Sequence, residues 1–397
     1  MPRLLVGGRQ EQCESVLWRR LCWLGERLWR EAVAPAKGVV LLVGSFGRGE
    51  GVAHLDEMGR VHVRNDLDLE IVTKENVLGC LVMSGRAARM IDRLERSFGA
   101  WVATKQIDCG VSPTSVYNAS ATITMSRFDT VSGSVVLAGD ACAKPSTSWQ
   151  PEGIPLSEGA RLLQNRGAGL LIPCVYSMVG AVDELTSSRG ALEIGKAIVA
   201  CGDLYLLREG NYASRYSTRC ERVLGSREGR RWVSNADLYE RAAKCQLGQE
   251  TLEDPISMAD LKVSVDMLLR VWRHYEAERL GVKIRSWEDY LRVVGDEPLR
   301  RTPERIAVML RAPDRLALVG RAKMSLASKL RFRYDAALLG AIPLLLREWR
   351  CQAKDHPGTP GKANDLLRRI GRLLAAWHPG GEAARAASMA RNRFRSY

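Results

Sequence analysis

Two aspartates and a glycine-rich turn are the residues whose types and spacing could do chemistry. Asp66 and Asp68 alternate with apolar residues in Asn65-Asp66-Leu67-Asp68-Leu69-Glu70-Ile71-Val72. In a strand this alternation sends Leu67, Leu69 and Ile71 to one face and both aspartates to the other, about 6.6 Å apart at ~3.3 Å per residue. Like charges about 4 Å apart repel by about 4 kcal/mol at an effective dielectric of ~20, so an ionised pair converging on one point needs a metal ion or a basic partner. Upstream stands Gly44-Ser45-Phe46-Gly47-Arg48-Gly49-Glu50. Its glycines let the backbone approach a ligand, Ser45 adds a hydroxyl, and several N–H groups can converge on a phosphate. Carboxylate oxygens one strand away from a phosphate cradle suit Mg²⁺ held between protein and triphosphate, the setting for phosphoryl or nucleotidyl transfer.

Gly44-Ser45, Arg48-Gly49-Glu50 and Asp66-x-Asp68, in this order and spacing, resemble the signature of the DNA polymerase beta superfamily of nucleotidyltransferases. Asn65 stands where many members have Ser, which touches no metal ligand. The resemblance implies an α+β fold: a polymerase-beta-like domain, a mixed sheet flanked by helices, over residues 1–145, then a mostly α-helical C-terminal part. Residues 146–230 are then a helical domain closing the nucleotide cleft, and 231–397 a helical region with no assigned role. It further implies that Asp66, Asp68 and Asp108 hold two Mg²⁺ ions, or Mn²⁺, and that Asp108 takes the proton from an attacking hydroxyl. Asp129 and Asp140 rival Asp108, but both lie in turn-like sequence near a glycine.

The activity implied is transfer of a nucleoside monophosphate from an NTP, ATP first among them, to a hydroxyl of a small molecule or protein ahead of RNA. Gly44, Ser45, Gly47, Arg48 and Lys196 are the candidate nucleotide contacts. Arg166 and Tyr212 are further candidates, although surface charge and a core aromatic explain them as well. A non-catalytic NTP-binding sensor or antitoxin-like module and an RNA 3′-end nucleotidyltransferase are the alternatives. A Rossmann site fits less well, because it wants an acid at the far end of the second strand, whereas these acids open it.

The elements that must position these residues follow from periodicity. Gly38-Val39-Val40-Leu41-Leu42-Val43 reads as a buried strand. Glu11 to Ala34 carries Val16, Leu17, Leu21, Leu24, Leu28 and Val33 at helical spacing. Gly51 to Arg64 reads as a hairpin or flap bearing His54 and His62, and Asn76 to Phe98 as a crossover helix with Val77, Leu81, Val82, Met90, Ile91 and Leu94 inward. Trp101 to Val111 reads as a third strand with Asp108 near its end, and Val135 to Asp140 as a closing strand.

The Pro- and Ser-containing stretch from Ala141 to Pro155 marks a boundary. Beyond it the period turns helical: Leu156 to Arg166, Ala191 to Arg208, Ser264 to Leu280, Trp287 to Val294, Thr302 to Leu310, Leu316 to Trp349 broken at Pro343, and Asn364 to Trp377.

The 397 residues carry a formal charge of +14, which points to an anionic partner and leaves room for nucleic acid beside a nucleotide. Four arginines and no acid after Glu382 in the tail add to this excess. Ten cysteines form no CxxC pair and five histidines are dispersed, so a zinc site is not expected and reduced thiols point to the cytoplasm. The N-terminal residues lack the apolar run of a signal peptide. The most apolar window, Gly167 to Val182, is short for a bilayer span and contains Pro173, so no membrane partner is expected.

Overall fold

The apolar run ahead of the glycine-rich turn forms β1 (Gly38–Leu42), buried at every position. A computed structural model describes residues 2–5, 11–34, 37–64, 66–104, 106–181, 188–248, 258–295, 334–352 and 360–377, with Ala386 and Met389. The chain forms two units: Met1–Pro155 with Glu209–Arg222 and Leu247–Glu250, and Leu156–Arg208 with Val223–Gln246 and Thr251–Tyr397. Residues 146–155 and 209–222, inside the stretch read as a helical domain of 146–230, thus belong to unit 1, and the rest of that stretch shares unit 2 with 231–246 and 251–397. Every strand among the described residues lies in unit 1 and helices prevail toward the C-terminus, an α+β architecture.

Unit 1 contains, after β1, strands β2 (Ala53–Leu55), β3 (Val61–Val63), β4 (Leu67–Thr73), β5 (Val102–Ala103), β6 (Ile107–Pro113) and β7 (Val135–Gly139). Its helices are α1 (Glu11–Leu28), the single turn α2 (Gly44–Gly47), α3 (Val77–Gly99) and α4 (Met125–Gly133). The main sheet has the order β6-β4-β1-β7, and β2-β3-β5 form a smaller one. β4 and β7 run antiparallel to β1, and β6 runs parallel to β4. The expected hairpin is β2 paired with β3, where His54 stacks on His62 and His62 Nε2 lies 2.8 Å from Asp56 Oδ2.

One face of the main sheet packs Leu42, Leu69 and Ile71 against Leu17, Leu21, Leu24 and Leu28 of α1 and Met83, Met90 and Leu94 of α3. The other face buries a smaller group, Val39, Leu41, Val72 and Tyr117. Two expectations fail here. Val77, Leu81 and Val82 of α3 are exposed, and Cys80, Met83 and Ala87 face inward instead. Stepping back from Leu94 by three or four residues reaches 90, 87, 83 and 80, and the small Ala87 hides that stripe in the sequence. The stretch from Trp101 to Val111 is not one strand either. It breaks between Ala103 and Ile107, its halves join different sheets, and Asp108 falls at the start of β6 rather than at a strand's end.

Unit 2 holds α5 (Ser157–Val179), α6 (Ser188–Arg208) and, after α7 (Tyr216–Gly225), which enters from unit 1, α8 (Arg227–Val233), α9 (Ala236–Gln246), α10 (Met258–Leu280), α11 (Trp287–Gly295), α12 (Tyr334–Gln352) and α13 (Pro360–Trp377). Pro173 and Pro343 lie inside α5 and α12 instead of ending them. Its core includes Trp272, Trp287 and Tyr290, all at most 1% exposed. Close packing explains Gly167, where a Cβ would come 2.6 Å from the Trp272 ring. The helix expected at Thr302 to Leu310 lies outside the described residues, as does most of the basic tail. Among the described residues no helix is long and apolar enough to cross a membrane.

Candidate active site

The turn after β1 is shaped by contact with β4. Gly44 has φ +64°, a conformation costly to residues with a Cβ, and a Cβ there would lie 2.0 Å from Asp68 Oδ2. The backbone of the turn therefore rests against the Asp68 carboxylate, and the Val43 N–H donates to Asp68 O at 2.9 Å. Ser45 follows, half-buried at the head of α2, and the Phe46 ring beneath it is fully buried.

β4 shows the alternation expected of it: Leu67, Leu69 and Ile71 are buried, while Asp68 and Glu70 are partly exposed. Asp66 precedes the strand and is exposed. The parallel pairing of β4 with β6 sets Asp68 directly opposite Asp108. Paired residues of neighbouring strands share a face at a strand spacing of about 4.8 Å, so the two carboxylates issue side by side from the same end of the sheet. The Gln106 amide donates to Asp108 Oδ1 at 2.6 Å. The topology thus gathers Gly44, Ser45, Asp66, Asp68 and Asp108 at one end of the main sheet.

The rival acids have other partners. Asp140 follows the end of β7, where its N–H donates to Gly38 O at 3.0 Å, beside the start of β1 and so at the sheet's opposite end. Its carboxylate accepts from the Cys142 N–H at 2.9 Å and closes a turn. Asp129 on α4 lies 3.5 Å from the Arg48 guanidinium and 3.3 Å from the Tyr212 hydroxyl.

Three candidate nucleotide contacts have other surroundings. Gly47 is buried where a Cβ would meet Leu42 O at 2.5 Å and Gly133 O at 2.6 Å, which makes it a packing glycine. Arg48 is 9% exposed, and its guanidinium lies between Asp129 and Glu50, the latter at 3.9 Å. Lys196 belongs to unit 2, where it pairs with Glu193 at 3.0 Å. Arg166 is half-buried on α5, and Tyr212 is buried against Phe128 as a core aromatic.

Two acids to which the motif reading gave no role shape this region. Glu50, 4% exposed, accepts from the Tyr216 and Ser217 N–H groups at 2.8 and 3.0 Å and so ties residues 209–222 to the loop. Glu70 lies two residues beyond Asp68 on the same face, against Gly110, where a Cβ would come 2.1 Å from Glu70 Oε2. Burial raises the Glu70 carboxyl from an ordinary 4.5 to about 7, against the opposing pull of a Ser112 hydrogen bond and Arg127. The period of two that puts Asp68 on this face also puts Glu70 there, so the signal was present in the sequence.

The carboxylates at residues 66, 68 and 108 are oxygen donors of the kind that hard divalent cations take. Among the described residues, no three His, Cys, Asp or Glu side chains are gathered closely enough to hold an ion by themselves. The chain matches no protein-family model, no curated protein and no solved structure.

Proposed function

We propose that unit 1 is a nucleotidyltransferase that moves a nucleoside monophosphate from an NTP to an acceptor hydroxyl with release of pyrophosphate. The observation carrying this reading is the contact of the left-handed Gly44 turn with Asp68, itself in register with Asp108. Such a contact sets a phosphate-binding turn beside oxygen ligands, the two halves this chemistry needs.

Mg²⁺ commonly takes one or two protein carboxylates and completes its shell with substrate phosphates and water, so Asp66 and Asp68, joined by Asp108, suffice in kind. The bound metal supplies Lewis-acid stabilisation of the phosphoryl oxygens and acidifies the acceptor hydroxyl. The chain's own residues orient the reactants. Turn amides and the Ser45 hydroxyl hold the terminal phosphates, Asp66 and Asp68 hold the cation, and Asp108 accepts the hydroxyl proton. Catalysis then rests on positioning and charge placement.

The test incubates the full chain with each labelled NTP, Mg²⁺ and candidate small-molecule, protein and RNA acceptors, and follows pyrophosphate. Changing both Asp66 and Asp68 to Asn should abolish release while leaving the melting temperature near that of wild type. Retained turnover in that variant defeats the assignment. NTP binding without release in the wild type points instead to a sensor.

A further inference from the structure

Unit 2 holds a cavity of about 1010 Å³ formed by the C-terminal end of α6, by α8 and by the middle of α10. Trp232 and Val271 are the apolar residues named in its lining, and its charge is one-sided: Arg208, Arg227, Arg231 and Arg270 against Glu228. The arginines are not equivalent. Arg208 is neutralised, 3.2 Å from Glu228 and 2.9 Å from Glu278, with its guanidinium over the Trp232 ring. Arg227 and Arg231, one helical turn apart on α8, meet no carboxylate among the described residues. Arg270 donates to the Trp232 carbonyl, which fixes its guanidinium without cancelling the charge.

Trp232 anchors this floor. Its indole N–H donates to Cys201 O at 2.9 Å, and His274 packs edge-on against the ring at 4.9 Å between centroids. The Trp232 floor of the cavity is thereby held in place.

We infer that this cavity is an anion site for a small ligand bearing two or more phosphate groups, bound by the forked guanidiniums of Arg227, Arg231 and Arg270. Three like charges facing one space repel one another, and a polyanion turns that repulsion into attraction. Arginine rather than lysine suits the task, because its planar fork takes two phosphate oxygens at once. The volume lies at the upper end of the roughly 300–1,000 Å³ of small-molecule pockets. Convergence on one concavity favours a compact ligand over a nucleic-acid backbone, which needs cations spaced along a groove. The site is formed within unit 2 and does not depend on nucleotidyl transfer in unit 1.

Calorimetry on the full chain tests this, with inorganic pyrophosphate and tripolyphosphate as probes. EDTA and the Asp66→Asn/Asp68→Asn background suppress metal-dependent uptake at unit 1. One tripolyphosphate should bind per chain, and Arg227→Ala/Arg231→Ala should weaken it by at least about tenfold. Both side chains are exposed, and circular dichroism checks that the variant is folded. Arg270→Lys should weaken binding by a smaller factor, since it keeps the charge and loses the fork. Absence of binding in the wild type, or unchanged affinity in the double arginine variant, overturns the proposal. So does an RNA oligonucleotide that outcompetes tripolyphosphate through the same arginines, which would make the surface a nucleic-acid interface.

Discussion

The two faces of β4 have been put to different uses. Leu67, Leu69 and Ile71 enter a core shared with α1 and α3, whereas Asp68 and Glu70 turn to the face whose buried core, among the described residues, is the smaller group Val39, Leu41, Val72 and Tyr117. The first face gains from every atom it removes from water. The second crowds Asp68 against Gly44 and Glu70 against Gly110 and gains far less from burial. Substitutions on the two faces should therefore differ in sign: apolar-face changes lose stability and keep turnover, and acidic-face changes lose turnover and keep or gain stability.

The largest effect that could break this contrast is that of Leu69→Ala. Leu69 is 2% exposed, and truncating a core leucine costs about 2–5 kcal/mol through lost burial and the cavity left behind. Urea unfolding should show that loss, while pyrophosphate release per folded molecule stays close to wild type. A stable variant with failed turnover would mean that the apolar face also sets the site's geometry.

Glu70→Gln tests the opposite sign. Its folded carboxyl titrates near 7 against an ordinary 4.5, so the folded chain holds a proton that the unfolded chain has released between those values. Stability from this group is thus full below pH ~4.5, declines as pH rises through about 7, and is then lower by an amount on the order of 3 kcal/mol. The glutamine variant cannot lose that proton. In EDTA its unfolding midpoint should match wild type near pH 4.5 and exceed it increasingly up to pH 8. Parallel curves across that range would show that Glu70 is not enclosed as described.

How legible the molecule was in its sequence follows the same division between local and distant. Asp66, Asp68 and the Gly44 turn could be found because their signal lies in a period of two and a glycine within thirty residues. The partner of Asp68 could be named, but not its geometry, because the parallel register of β4 with β6 depends on where the chain breaks near Gln106. Gly47 and Arg48 read as ligand contacts because a buried packing glycine and an exposed one look alike in sequence, and because Asp129 and Glu50 meet Arg48 only in the fold. The cavity of unit 2 was illegible for the same reason, since Arg208, Arg231 and Arg270 come from three helices with no common motif. On α3, Ala87 concealed the inward stripe, and the exposed Val77, Leu81 and Val82 supplied a false one.

A smaller change in stability, at the seam of the two faces, is expected of Gly44→Ala. A left-handed φ costs a residue with a Cβ about 1–2 kcal/mol, and the new methyl must also displace the Asp68 carboxylate, 2.0 Å from where it would sit. Gly59 provides the control. It has φ +75° in the β2–β3 turn, and a Cβ there would meet nothing within 4 Å. Gly59→Ala should therefore carry the backbone strain alone, with pyrophosphate release intact, whereas Gly44→Ala should lose somewhat more stability and most of its turnover. Equal turnover in the two variants would show that the turn's contact with Asp68 is packing without chemical consequence.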